Sequence, residues 1–158
     1  MAISKRIASL VVAAILAFGG MALAHRMPEV YVTLETSDLE GEPITAVTIR
    51  LHAEDAIALL AAFDEPVSNL DTRAEHEALA RLTTEGLVTT GGSLTLLGGE
   101  IDGHAVLLYL TGAPGFAVTE SAILSAIYPQ WTNRVSDLTG ETPQGAVFTQ
   151  GGEHTHHH

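Results

Sequence analysis

From Pro28 the chain opens on a strict alternation. Val30, Val32 and Leu34 fall on one side, and Tyr31, Thr33 and Glu35 on the other, the period of a half-buried strand. Ser37 to Pro43 carries Asp, Gly and Pro, residues suited to a turn. A second alternation runs from Ile44 to His52, with Val47, Ile49 and Leu51 on one face and Thr48, Arg50 and His52 on the other. The short loop between the two runs predicts an antiparallel pair.

The period then lengthens. Between Glu54 and Phe63, Ile57, Leu60 and Ala61 recur at helical spacing, and Pro66 closes the segment. Glu54 and Asp55 fall in the first turn, where negative charge suits the positive end of the helix dipole. After a loop from Asp64 to Asp71, Thr72 and Glu75 have capping-box spacing. They predict a helix over Arg73 to Glu85 that buries Ala74, Ala78, Leu79 and Leu82 and leaves His76 solvated beside Glu75 and Glu77. Gly86 is placed to end it.

The remainder reads as strands. Leu87 to Thr90 and Ser93 to Leu97 flank Gly91-Gly92 as a hairpin, and Gly98-Gly99 breaks the run. His104 to Thr111 is apolar on both sides and predicts a central strand covered on both faces. Phe116 to Ile127 reads as a strand kinked near Glu120-Ser121. Thr132 to Leu138 and Ala146 to Gln150 frame a closing hairpin. The expected fold is mainly β (α+β): an antiparallel β-sandwich-like domain of about seven or eight strands, with two helices inserted after the second strand.

The segment before Pro28 has a different character. Lys5 and Arg6 precede an apolar run from Ile7 to Phe18, and Ala22-Leu23-Ala24 has the small-x-small form of a cleavage site. This is the layout of a secretory signal peptide. The organisation expected is therefore residues 1–24 as signal peptide, 25–150 as a β-rich globular domain, and 151–158 as a His-rich tail. The protein is expected to be periplasmic or secreted, without a membrane span once the signal is removed.

Charge narrows the function. Loss of Lys5 and Arg6 takes the formal net charge from −12 to −14. Phosphate backbones and anionic lipids repel such a chain, which argues against nucleic-acid binding. The absence of cysteine removes thiolate metal sites and thiol catalysis.

The order of features resembles an uncharacterised family of small exported bacterial β-rich domains, a domain of unknown function. The likeness runs from His25 to about Gln150. It is carried by Arg50-Leu51-His52 before Glu54-Asp55, by Leu96-Leu97-Gly98-Gly99-Glu100, by Ala105 to Leu110 with Tyr109, and by Tyr128-Pro129-Gln130. The resemblance implies a β-rich periplasmic domain and brings no catalytic residues with it.

The candidate chemistry lies in histidines. His154, His156, His157 and His158 crowd the C-terminus, and imidazoles bind copper, zinc and nickel. Purification-tag residue and a tail without a role are the plainer readings. Cleavage after Ala24 would make His25 the new terminus, offering an amine and an imidazole to one copper ion, with His52 or His104 as the further ligand across the fold. Hydrolytic motifs are missing: Ser93, Ser121 and Ser125 lack a Gly-x-Ser-x-Gly context. Glu100 and Asp102 read as a solvated loop pair, and Tyr128 and Trp131 as core or corner aromatics. The leading expectation is a non-enzymatic periplasmic domain that binds a transition metal, copper or zinc, for buffering or delivery, with no organic cofactor. The alternatives are an envelope interaction module docking a periplasmic or membrane protein, and a copper-dependent redox enzyme using His25.

Overall fold

The computed structural model describes residues 26–150 and the backbone of Thr155–His157. The expected signal peptide, His25, His154 and His158 lie outside the described residues. β1 (Glu29–Leu39) and β2 (Glu42–His52) form a long antiparallel pair with Val32 opposite Ile49. Their strands reach further into the expected turn than the sequence suggested. Glu40 and Gly41, both at positive φ (54° and 88°), close it in two residues. Two positive φ values in succession give the turn that follows the right-handed twist of the strands.

β2 passes directly into α1 (Ala53–Ala62), and α2 (Arg73–Glu85) follows after a loop. Then come β3 (Leu87–Thr90), β4 (Thr95–Asp102), β5 (Ala105–Gly112), β6 (Ala117–Ser121), β7 (Thr132–Asp137), β8 (Gln144–Thr149) and β9 (Thr155–His157). The main sheet has the order β4-β5-β2-β1-β7-β8-β9, and β3 pairs with β6 in a separate ribbon. The β-rich α+β domain with two helices after the second strand is thus the observed architecture. Its sheet is antiparallel except for β1 and β7, which run parallel. Among the described residues no helix is long and apolar enough to cross a membrane.

The alternating residues meet in one core. Val30, Val32 and Leu34 of β1, Val47, Ile49 and Leu51 of β2, and Val106, Leu108 and Leu110 of β5 are all buried against the helices. Each fully buried side chain of this kind contributes roughly 1.5–3 kcal/mol. β5 lies inside the sheet, but Leu107 and Tyr109 on its other face are only half-buried, so that strand is covered fully on one side only.

The helices are rotated from their expected faces. α1 buries Asp55, Ala56, Leu59 and Leu60, while Ile57 is 43% exposed. Asp55 can face inward because partners await it there. α2 buries Glu75, His76, Leu79, Ala80, Leu82 and Thr83, leaving Ala74 exposed and Ala78 half-buried. His76 is therefore a core residue and not a solvated one. The loop before α2 folds over it, and its Nε2 donates to the Leu70 carbonyl at 2.7 Å.

Two glycine pairs also act differently from their expected roles. Gly91 and Gly92 take φ of +93° and +101° and do not join β3 to β4 as a hairpin. β3 pairs with β6 instead, where a Cβ on Gly86 would lie 2.9 Å from the Ile123 Cα. Gly98-Gly99 lies inside β4, with a bulge between Leu96 and Gly98. A Cβ on Gly99 would stand 2.9 Å from the His76 ring, so this glycine permits a close approach of strand to helix. The expected strand from Phe116 ends at Ser121. It is followed by turns, with Leu124 at φ 71°. The closing hairpin forms as expected, with Val135 opposite Ala146.

The capping box at α2 is doubly used. Glu75 is 4% exposed, and its carboxylate accepts from the Ser68, Leu70 and Thr72 backbone N–H groups and from the Ser68 and Thr72 hydroxyls. Burial alone raises its pKa, but these donors outweigh burial and hold it at about 2, below the ordinary 4.5. A carboxylate whose folded pKa is depressed stabilises the fold above its unfolded pKa and loses that contribution as pH falls. Acid titration of the folding free energy should show a decline between about pH 4.5 and pH 2 that is much reduced in Glu75→Gln. That variant should also lose on the order of 2 kcal/mol at neutral pH, since it leaves buried donors poorly matched. An unchanged acid limb would exclude this role.

Candidate functional site

Directly after β2 the chain turns into α1, and His52 is the hinge residue between them. Its φ and ψ are extended (−67°, 144°), and its Nδ1 accepts the Glu54 backbone N–H at 3.3 Å as the helix N-cap. The β4–β5 turn delivers the second imidazole. Asp102 pairs with Ala105, so Gly103 (φ +60°) and His104 form a two-residue turn that requires glycine first. The Ala53 N–H donates to the His104 carbonyl at 2.8 Å and fastens that turn to the start of α1. The two rings lie nearly parallel (16°), with centroids 6.0 Å apart.

Both histidines line a pocket of about 210 Å³ with Arg26, Met27, Glu29, Tyr31 and Arg50. Arg26 and Met27 come from the segment that precedes β1. That segment is held in two ways. The Thr132 N–H donates to the Pro28 carbonyl at 2.9 Å. Arg26 makes a fork-to-fork pair with Asp55, at 2.9 Å to Oδ2 and 2.7 Å to Oδ1. The Asp55 side chain is fully buried, and the Tyr128 hydroxyl donates to Oδ1 at 3.0 Å. Hydrogen bonding to Asp55 raises the Arg26 pKa above its already high value, against burial that lowers it. Burial, then the Asp55 carboxylate, raise the Tyr128 pKa. Arg26 therefore stays charged, and Tyr128 keeps its donor proton.

The loop carrying Tyr128 is fixed by a buried amide. Asn133 accepts from the Ser121 hydroxyl at 2.8 Å and the Ile123 N–H at 3.2 Å, and donates to the Ile123 carbonyl at 3.1 Å. Tyr128 and Trp131 pack against the core, as expected of corner aromatics. Across the outer face Glu29 joins Arg134 and the Tyr31 hydroxyl. Partial burial raises the Glu29 pKa, yet these two partners pull it below the ordinary carboxylate value.

Of the metal candidates read from sequence, only His52 and His104 are shown together. His156 and His157 belong to β9, opposite Ala146 and Gly145 of β8. β9 is four strand spacings from β2, roughly 19 Å at 4.7–4.9 Å per strand. The tail strand and the His52–His104 pair are thus separate places. His25, His154 and His158 lie outside the described residues, and among the described residues no group of three or more His, Asp or Glu is spaced to hold an ion. Glu100 receives the Tyr109 hydroxyl and sits exposed. The sequence reading missed Arg26, Asp55 and Tyr128 as a unit. The legible sign was Asp55 at the start of an apolar helix, two residues before Ile57 and so on the opposite face.

Compared with known proteins, the chain matches no family model, no curated protein and no solved structure. Breaking a buried ion pair by removing one partner costs about 3–5 kcal/mol, and less where one side is solvated. The Arg26 side chain is 42% exposed. Arg26→Met should therefore destabilise by about 2–3 kcal/mol, and a double-mutant cycle with Asp55→Asn should give a coupling above about 1 kcal/mol. Additive single effects in urea denaturation would show that the pair does not hold the arm.

Proposed function

We propose that this chain is an exported, non-catalytic domain that binds a transition metal, copper before zinc, for buffering or delivery. The observation that carries the reading is the His52–His104 pair in a pocket lined by Arg26 and Met27, the first residues after the expected new terminus. The two rings are stacked with centroids 6.0 Å apart; since imidazole ligates through an in-plane nitrogen at about 2.0–2.1 Å, both rings would turn edge-on to share one ion. Cleavage of the Ala24–His25 bond would free the α-amine of His25, the chain neighbour of the anchored Arg26, and would supply the nitrogen donors that a pair lacks. Met27 also lines this pocket; its thioether, which accepts the Thr132 hydroxyl at 3.6 Å, would be a soft donor suited to copper if it turned inward. Export rests on residues 1–24 and on the resemblance to small exported domains.

Were His52 to ligate through Nε2, its ring proton would sit on Nδ1, which would then face the Glu54 carboxylate, 4.0 Å away, in place of the Glu54 N–H. A carboxylate behind a ligating imidazole orients the ring and raises its basicity. The His-rich tail is a second, separate locus of weaker capture.

The test is a Cu(II) and Zn(II) titration of residues 25–158 made with an authentic His25 amine, and of the same chain ending at Glu153. Tight one-to-one Cu(II) binding should survive the truncation and weaken at least 100-fold in His52→Ala and His104→Ala. Glu54→Gln should weaken it about 10-fold. Loss of tight binding with the tail would move the site to the tail. Absence of binding better than micromolar in both chains would end the metal reading and favour an envelope module that docks a protein partner.

A further inference from the structure

A chain with 19 acidic residues and few basic ones has carboxylates to spare for every arginine. Arg26, Arg73, Arg81 and Arg134 each face one. Arg50 faces none among the described residues. It lies opposite Tyr31 on β1 and Leu107 on β5, and its guanidinium stands 5.9 Å from the centre of the Tyr31 ring. Glu29, the acidic side chain that shares its pocket, is already taken by Arg134 and the Tyr31 hydroxyl. The fork of Arg50 is therefore held by an aromatic face and by β-strand register, with its donors left for something that enters the pocket.

We infer that the pocket between β2 and the β4–β5 turn is a binding site for a small carboxylate-bearing anion, gripped by Arg50, with His52 and His104 as neighbouring donors when they ligate no metal. A planar guanidinium matches a carboxylate through two parallel hydrogen bonds. The volume of about 210 Å³ suits a molecule of small organic-acid size. The site shares the pocket proposed above for a metal, and it stands on Arg50 whether or not an ion is present. It also answers an electrostatic difficulty of that proposal, because an unneutralised guanidinium beside a cation is unfavourable until an anion lies between them.

The probe is citrate, titrated calorimetrically into purified, metal-free protein at low ionic strength. One saturable site is expected. R50Q should weaken citrate at least 10-fold. R50K, which keeps the charge and loses the fork, should fall between the two. R73Q, which removes another exposed arginine elsewhere, should bind as the parent does. Arg50 is exposed on the sheet, and circular dichroism of each variant checks its fold; if R50Q does not fold, R50K carries the comparison. No saturable binding, an unchanged isotherm in the Arg50 variants, or equal weakening by R73Q would overturn the inference.

Discussion

A fully buried carboxylate with one charged partner organises this end of the molecule. Asp55 has left water at the first turn of α1, and its cost is offset by the Arg26 fork and the Tyr128 hydroxyl. Three parts of the chain far apart in sequence thereby meet: the segment before β1, the start of α1, and the loop before β7. The same first turn is capped by His52, so the pair that fixes the arm also fixes the position of the candidate ligand. The pocket can hold its shape because its walls are strand ends and a helix start, whose positions the core sets.

The domain uses the same device twice more. Glu75 gathers the loop before α2 around one carboxylate, and Asn133 gathers the loop after β6 around one amide. Each lets a connection run against the core without leaving backbone groups unpaired. Each also stands near a residue at positive φ, Leu70 (65°) in one case and Leu124 (71°) in the other. Such backbone is unfavourable for leucine and persists where surrounding bonds over-determine it. Both leucines are buried, so packing and hydrogen bonding act together there.

The sequence made the strands legible and the polar core illegible. Val30, Val32 and Leu34 and Val47, Ile49 and Leu51 announced their inward face, because period 2 with one covered side leaves a clear pattern. The helices misled because their inward faces include Asp55, Glu75 and His76, which hydrophobic periodicity scores as outward. Gly98-Gly99 looked like a break because a glycine needed for close approach to His76 resembles one that ends a strand. In the candidate site, His52 and His104 stood out by residue type. Their meeting was not readable, since it depends on β2–β5 register over a separation of about fifty residues. Arg50 was legible only as an outward strand residue; among the described residues, its lack of a carboxylate emerges when Arg26, Arg73, Arg81 and Arg134 are each seen to have one.

The central claim is that the Arg26–Asp55 pair docks the arm, with Arg26 and Met27, against the pocket of the His52–His104 pair proposed to take a metal. The most direct measurement is the Cu(II) affinity of residues 25–153 with an authentic His25 amine, compared with the same chain carrying Arg26→Ala, with circular dichroism reporting the fold of both. Arg26 contributes no metal ligand. The account predicts that the variant stays folded and binds Cu(II) at least 10-fold more weakly. A folded variant with unchanged affinity would contradict it.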